Sequence, residues 1–230
     1  MAAAESPRLS RHHQRRLRSY YRSAGWPCHD AIEIDLLAAG LIAREAHAGA
    51  ADTIRVTEAG IAAIAQALNG NRRARDAHEA LALRVAEKLC GEGRLVFRSL
   101  RLRAQCGDAW RNCLPDVYSI RNTTALRQAR PMIHEVKVSR ADLLADIADA
   151  GKRTAYQALS CEFYYVMPAG LAALSEIPFD CGVMYAEDAR LVVARPAEHR
   201  PVMPGFGEWM AIARRGAERF DPPDSQLLLE

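Results

Sequence analysis

The stretch Pro131–Val138, PMIHEVKV, places an acidic and a basic residue two positions apart within an apolar run. Successive side chains of a strand point to opposite faces, so residues two apart share a face. A strand here puts Ile133, Glu135 and Lys137 on one face, with His134 packed on the other. A carboxylate and an ammonium on a mostly apolar strand are costly unless they are paired or used. The stretch therefore predicts a strand that carries a functional pair.

A second stretch of this kind, LPDVYSI, lies upstream at residues 114–120. Pro115 suits the first position of a strand, and Asp116 follows it directly. Neighbouring strands lie about 4.8 Å apart, so Asp116 and Glu135 can share one ion if the two strands pair. Each residue also has an ordinary interpretation, Asp116 as a turn residue and Glu135 with Lys137 as a solvent-facing pair. Their order on predicted neighbouring strands is what favours a site.

The order Pro115-Asp116, then Glu135-Val136-Lys137, resembles the signature of the PD-(D/E)XK nuclease superfamily. The run EVKVSRADLLAD at residues 135–146, followed by YYVMPAGL at residues 164–171, is similar to the MmcB-like branch of DNA repair proteins. From Asp76 onward the sequence predicts a helix, three strands, further helices and a strand. The resemblance implies a restriction-endonuclease-like αβββαβ core over residues 76–195.

The resemblance also implies a metal site. A divalent ion neutralises charge on a phosphate and makes a water molecule nucleophilic, and Mg²⁺ (or Mn²⁺) takes hard oxygen ligands. The implied ligands are Asp116, Glu135 and the carbonyl of Val136. Lys137 is expected beside them as a catalytic cation that orients water or stabilises developing charge.

Three further positions follow from the same resemblance. Some relatives carry an acidic residue on the first helix, where Glu79 is the best match and Glu87 the second. Gln157 resembles a glutamine that follows the core helix in some branches. Each of these can equally be an ordinary surface residue. Lys152 and Arg153 are expected to contact phosphate.

The first 70 residues predict a separate domain. Residues 1–24 are rich in arginine, which is typical of a phosphate-binding arm or of a solvated terminus. His29 to Ile42 is predicted to be helical, and residues 53–57 a short strand. Together with a following Glu-Ala-Gly segment, this order resembles a winged helix-turn-helix, with residues 44–56 as the wing. A helical domain for protein contacts is the alternative.

Asn69–Arg73 is polar and contains glycine, which predicts a domain boundary after a helix ending near Leu68. Asp76 and Glu79 then have the spacing of a capping box at the start of the next helix. Further along, Arg94–Arg103 predicts one strand and residues 105–112 a loop. Ser139 is expected to cap a helix that ends near Asp149. Residues 196–230 predict a docking tail with a helix from Trp209 to Phe220.

The composition and the cysteine spacing exclude several classes of protein. The 230 residues carry a formal net charge of only +3, and no apolar run approaches the length of a membrane span. The six cysteines form no Cys-x-x-Cys pair, and no secretory signal opens the sequence. We therefore expect reduced thiols and a cytoplasmic protein without a membrane partner. No serine–histidine–aspartate arrangement, glycine-rich phosphate loop or zinc cluster is apparent.

These observations predict an α/β (α+β) protein with a winged-helix domain at residues 1–70 and a nuclease-like domain at residues 76–195. The expected function is that of a metal-dependent DNA endonuclease, and a role in DNA repair, restriction or mobile elements follows from the resemblance alone. The alternatives are a non-cleaving DNA-binding regulatory or repair accessory protein and a protein-binding adaptor. A homodimer and a protein partner bound through the tail remain open.

Overall fold

The computed structural model describes residues 9–23, 25–188 and 190–217. The chain divides into two compact units, Met1–Arg73 and Ala74–Glu230. Within the described residues there are six α-helices and a mixed six-stranded sheet, which confirms the predicted combination of α and β structure. A search of these residues finds no helix with the length and hydropathy needed to cross a membrane.

The N-terminal unit packs two helices against a hairpin. Ser10 begins the first helix by accepting a hydrogen bond from the amide of His13, and Leu17 and Tyr20 form the buried stripe of that helix. Leu36 and Ile54 complete the centre of a small core. The elements are α1 (Arg11–Arg22), α2 (Ala31–Ala38), β1 (Ile42–Glu45), β2 (Thr53–Val56) and the start of α3 (Glu58–Gly91).

The predicted helix from His29 to Ile42 is too long. Helix α2 ends at Ala38, because Gly40 adopts a left-handed conformation at φ 67° that glycine tolerates best. Ile42 then opens β1, which pairs antiparallel with β2 and forms a hairpin where the wing was expected. Among the described residues between Gly25 and β1, α2 is the single helix.

The helix predicted to end near Leu68, before the domain boundary, is too short, since α3 runs without interruption from Glu58 to Gly91. One glycine inside a helix costs only about 1 kcal/mol, and the alanine-rich and arginine-rich flanks of Gly70 favour continuation. Asp76 therefore lies inside a helix and starts no capping box. The boundary between the two compact units falls within α3, between Arg73 and Ala74.

The C-terminal unit is built on a sheet with strand order β10-β9-β8-β7-β6-β3. Strands β7, β8 and β9 are parallel, and the other pairs are antiparallel. The strands are β3 (Arg94–Arg98), β4 (Leu102–Cys106), β5 (Ala109–Cys113), β6 (Val117–Arg121), β7 (Met132–Val136), β8 (Glu162–Pro168), β9 (Gly182–Glu187) and β10 (Arg190–Arg195). The remaining helices are α4 (Arg140–Ala148), α5 (Ala150–Ala158) and α6 (Phe206–Arg215).

Both faces of this sheet are covered. Ile133 belongs to a core that also contains Leu143 of α4 and Tyr156 of α5, whereas Val136 packs with Val85 of α3 on the opposite face. This sorting confirms the alternation predicted for β7. Burial on both faces of the sheet also explains why the sequence of β8 is a continuous apolar run.

The structure corrects the region before β6. The predicted strand Arg94–Arg103 is two strands, because Ser99 turns the chain at a positive φ of 51°. The predicted loop at 105–112 lies largely in the β4–β5 hairpin, which turns at Gly107. Helix α4 is capped by Ser139 as predicted. Helix α6 begins at Phe206 rather than Trp209, and residue 220 lies outside the described residues.

Candidate active site

Asp116 is fixed at the start of β6 by the neighbouring strand. The ladder between β6 and β7 ends at the pair Val117–His134, so the amide of Val136 lies beyond it. That amide donates to Oδ2 of Asp116 at 2.8 Å. The same carboxylate oxygen lies 3.1 Å from Nε2 of His78, on α3. A main-chain amide and an imidazole therefore hold the Asp116 carboxylate at the edge of β7.

Glu135 and Lys137 share one face of the strand, as predicted. The ammonium of Lys137 donates to Oε1 of Glu135 at 2.9 Å. Their side chains are only 5% and 6% exposed, so each charge depends on the other for its stability. The second carboxylate oxygen of Glu135, Oε2, is buried and has no hydrogen-bond partner within the described part of the chain.

Two residues of the helical layer complete a group that we call the buried charge cluster: Glu135, Lys137, Asp146 and Lys152. Lys152 donates to Oε1 of Glu135 at 2.5 Å and also to Oδ2 of Asp146. The same oxygen of Asp146 lies 2.9 Å from Nζ of Lys137. Tyr165, on β8, donates to the other oxygen of Asp146 at 3.0 Å. Two carboxylates thus share two ammonium groups.

The junction between α4 and α5 brings the last two members of the cluster into place. Asp146 lies in the last turn of α4, and Asp149 caps α5 by accepting from the amide of Lys152 at 2.8 Å. Asp149 is itself paired with Arg111 of β5 at 2.5 Å. The cap fixes the residue at which α5 begins. Because Lys152 lies in the first turn of α5, its side chain is thereby placed over the sheet.

The pKa values divide the site into two parts. Burial, followed by the charge of Asp116, raises the pKa of Glu135 even though two lysines oppose the shift. Burial lowers the pKa of Lys137, but Glu135 and Asp146 outweigh it and the net pKa is raised. Burial likewise raises the pKa of Asp146, and the hydrogen bonds from Lys152 and Lys137 bring the net pKa down. The two lysines therefore outweigh burial at Asp146, whereas at Glu135 burial and the charge of Asp116 outweigh the same two lysines.

The structure does not bring Glu79 to this site. Its carboxylate is exposed and lies 3.7 Å from Arg98. Consecutive residues of a helix are rotated by about 100°, so His78 faces Asp116 and Glu79 turns away. Glu87, the second match, lies further along α3 with Lys88 on a different part of the surface.

Gln157 and His134 also lie outside the cluster. The amide of Gln157 donates to Asp180 at 2.7 Å, in the segment before β9. His134 stacks on Tyr164 with ring centres 5.2 Å apart. Burial lowers the pKa of His134 to about 3, so this side chain is a neutral packing group.

Sequence reasoning missed His78, Asp146 and Tyr165. The signal for Asp146 was present, because this residue follows the buried Leu143 by one helical turn. An acidic residue on the apolar face of an amphipathic helix indicates a buried partner. For His78 and Tyr165 no comparable pattern exists in the sequence.

The His78–Asp116 pair should contribute stability that depends on pH. The hydrogen bond to Asp116 raises the pKa of His78, so the folded state holds the proton more tightly than the unfolded state. This contribution is complete below about pH 6.5 and disappears as the pH rises through the folded-state pKa. We expect the free energy of unfolding of wild type to exceed that of His78→Gln at acidic pH, and the gap to close in alkali. Urea titrations with a chelator present measure it.

The control for this prediction is His199→Gln, which changes an exposed histidine of the same unit. The pH dependence of the His78→Gln difference is read relative to the difference measured for this variant. A constant gap between wild type and His78→Gln would show that the pair contributes through packing rather than through charge.

The oxygen donors at Asp116 and Glu135 fit a small divalent ion. Among the described residues no group of three or more histidine, cysteine, aspartate or glutamate side chains could hold a metal. Magnesium, however, needs only one or two carboxylates, because it retains several waters. The amide and carbonyl of one strand residue point to the same side, so the carbonyl of Val136 lies on the edge facing Asp116. Oε2 of Glu135, which has no hydrogen-bond partner among the described residues, is a further oxygen ligand of the same kind.

Comparisons with known proteins identify no family for this chain. No protein-family model matches the sequence, and no curated protein matches it. Among solved structures, a protein of unknown function from Silicibacter pomeroyi matches with a TM-score of 0.42 and 17% identity. The match covers 59% of this chain and 80% of that one. This similarity assigns no function.

Proposed function

We propose that this protein is a metal-dependent phosphodiester hydrolase that acts on DNA. The observation that carries the proposal is the position of the Asp116 carboxylate, which accepts a hydrogen bond from the amide of Val136, next to Glu135, with the buried ammonium of Lys137 2.9 Å from Glu135. Neighbouring carboxylates bind divalent ions, and a fixed cation beside them stabilises charge that develops on a phosphate.

The order of elements supports a restriction-endonuclease-like core. The sequence of α3, β3, β6, β7, the α4–α5 pair and β8 corresponds to αβββαβ, with the β4–β5 hairpin as an addition. The first three core strands, β3, β6 and β7, pair antiparallel with one another, and β8 pairs with β7 in parallel. A role in DNA repair, of the kind found in the MmcB-like branch, rests on the sequence resemblance.

Each residue of the site has a distinct role in this proposal. Asp116, Glu135 and the carbonyl of Val136 would hold Mg²⁺ or Mn²⁺, which when bound neutralises phosphate charge and lowers the pKa of a water molecule. Asp146 keeps Lys137 protonated and oriented toward Glu135. Lys152 neutralises Oε1 of Glu135 and leaves Oε2 as the oxygen available for the ion.

Metal binding tests the proposal before any cleavage is measured. We expect Asp116→Ala to abolish binding of Mn²⁺ and Glu135→Gln to abolish or nearly abolish it, because a single carboxylate holds such an ion poorly. Isothermal titration calorimetry without DNA measures this loss, and a plasmid-nicking assay should show the parallel loss of cleavage. Glu87→Gln, which changes an exposed carboxylate on α3, is the control and should bind like wild type. A wild-type protein that binds no divalent ion contradicts the assignment.

A specific observation favours one alternative, a DNA-binding protein that does not cleave. Lys137, Lys152 and His78 already compensate much of the negative charge of the site in the absence of metal. Such an arrangement can serve the stability of the fold alone. A magnesium-dependent assay on single-stranded, duplex and branched DNA separates the two functions. Binding of DNA without cleavage of any of the three would support the alternative.

Helix α1 is the proposed contact with the DNA backbone. Arg11, Arg15, Arg18 and Arg22 recur at intervals of three and four residues, which places them on one face of the helix. Arg16 lies off this face and is paired with Asp30 at 2.9 Å. A row of arginines along one helix can neutralise several backbone phosphates and predicts binding that weakens with salt.

Neutralising this row should reduce the salt dependence of DNA binding. In the triple variant Arg11→Gln, Arg15→Gln and Arg22→Gln, the slope of log affinity against log salt should fall by about 0.9 for each duplex phosphate that the variant no longer neutralises. Fluorescence anisotropy on a labelled duplex at several salt concentrations measures the slope. Arg127→Gln, an exposed arginine far along the chain, is the control. An unchanged slope in the triple variant would exclude α1 from the DNA interface.

A further inference from the structure

A groove of about 970 Å³ lies between the β4–β5 hairpin and helix α6. Its floor is apolar, because the buried side chains of Leu100 and Leu102 form part of its lining. Its walls carry aromatic rings and arginines from both elements. No residue of the buried charge cluster lines this groove, so it is a surface separate from the candidate active site.

The hairpin wall follows from strand alternation. In β4, Leu102 and Ala104 point into the core, so Arg103 points outward, and Arg101, directly before the strand, is exposed as well. Trp110 of β5 is 59% exposed and lies on the same outer side. The guanidinium of Arg103 sits over the Trp110 ring, 5.1 Å from its centre. The hairpin therefore presents a planar ring that already binds a cation.

The opposite wall follows from helical periodicity. Trp209 and Ile212 pack on the main core, which turns the face bearing Phe206, Met210 and Arg214 toward the groove. These three residues recur every four positions, about one helical turn, and therefore lie on the same face of α6. Phe206 is 82% exposed and lines the same groove as the exposed Trp110 and Met210, so the three form an apolar patch of the kind that marks an interaction site.

The groove is positively charged. Among the described residues, Arg101, Arg103 and Arg214 make no ion pair. The one acidic side chain in the lining, Glu208, accepts a hydrogen bond from the amide of Gly205 at 2.8 Å. Its charge is thus directed to the start of α6, where the helix dipole favours it. The ligand that complements this groove is an anion that also offers planar apolar groups.

We infer that this groove binds single-stranded nucleic acid, with bases stacked on Trp110 and Phe206 and phosphates at the arginines. Aromatic rings interleaved with cations are how proteins hold unpaired strands, because every base has a face that can stack. A duplex keeps its base faces inside the helix and cannot use the two rings. The choice of a nucleic acid rests on the proposed function, but the binding itself requires neither metal nor cleavage.

The test uses the full-length protein in a chelating buffer, so that failure of the groove and failure of the nuclease site are distinguished. Anisotropy of a labelled oligothymidine should show that Trp110→Ala and Phe206→Ala each weaken binding about 5- to 150-fold, the range for the loss of one stacked base. Trp110→Tyr should restore most of the affinity. Phe179→Ala is the matched control, since Phe179 is 86% exposed and does not line the groove.

Three companion measurements support or overturn the inference. Oligouridine compared with oligodeoxyuridine assigns the sugar, and loss of affinity for either strand in both ring variants supports the groove. Photo-crosslinking of an iodouridine-substituted strand should map to the peptides that contain Trp110 or Phe206. Unchanged affinity in both ring variants overturns the inference. The inference is also overturned if the oligonucleotides do not bind, whereas poly-glutamate or a second copy of this chain does bind and this binding depends on the two rings.

Discussion

Lys137→Met should cleave DNA about 100- to 1,000-fold more slowly than wild type while binding a divalent ion at least as well. The substitution keeps the aliphatic stem and removes a charge that lies 2.9 Å from Glu135. Removing a positive charge beside the carboxylates favours the metal, so binding and chemistry should separate. Calorimetric titration with Mn²⁺ and single-turnover nicking of a plasmid measure the two quantities on the same preparation.

Lys88→Met is the control for this prediction, because Lys88 is a surface lysine whose ion pair is with Glu92, directly after the end of α3. It should cleave at the wild-type rate. Lys152→Met tests the other ammonium that reaches Glu135. Normal cleavage by Lys137→Met would contradict the assignment of Lys137 as the catalytic cation. Normal DNA binding by a wild-type protein that does not cleave would favour the non-cleaving alternative.

Asp146→Ala should reduce the free energy of unfolding by about 3–5 kcal/mol, the range for removing one partner of a buried ion pair. Asp146 is 8% exposed and accepts from both lysines of the cluster and from Tyr165. Its loss leaves two ammonium groups against one buried carboxylate and removes the acceptor of the tyrosine hydroxyl. Chemical denaturation at neutral pH, in the absence of metal, measures the change.

The matched control is Asp142→Asn on the same helix. Asp142 is 60% exposed and lies 3.7 Å from Lys137, so its contribution should be below about 1 kcal/mol. An equal loss of stability in the two variants would show that Asp146 does not anchor the cluster.

The contribution of Asp146 should also vary with pH in a defined direction. The net effect of its environment is to lower its pKa, so its stabilisation is present above the unfolded value of about 3.9. It is lost as the pH falls through the lower, folded-state pKa. Asp146→Asn, which keeps an acceptor for Tyr165, should therefore approach wild-type stability in acid and fall below it at neutral pH.

The sequence by itself determined the part of the site that depends on strand periodicity. Alternation in β7 assigned Ile133, Glu135 and Lys137 to one face, and the structure has them there. A proline before Asp116 marked the start of a neighbouring strand, and β6 pairs with β7. Ser139 was a recognisable cap for α4. These features could be predicted because each depends on residues within a few positions of one another.

Only the tertiary structure decided which distant side chains meet this strand. Lys152 and Asp146 reach Glu135 because α4 and α5 fold back over one sheet face, a choice made by packing rather than by local pattern. His78 replaces Glu79 at Asp116 because the rotation of α3 is set by the apolar residues that it buries against the sheet. The sequence pattern of a helix shows which of its residues share a face. Which other element that face contacts depends on the packing of the whole unit.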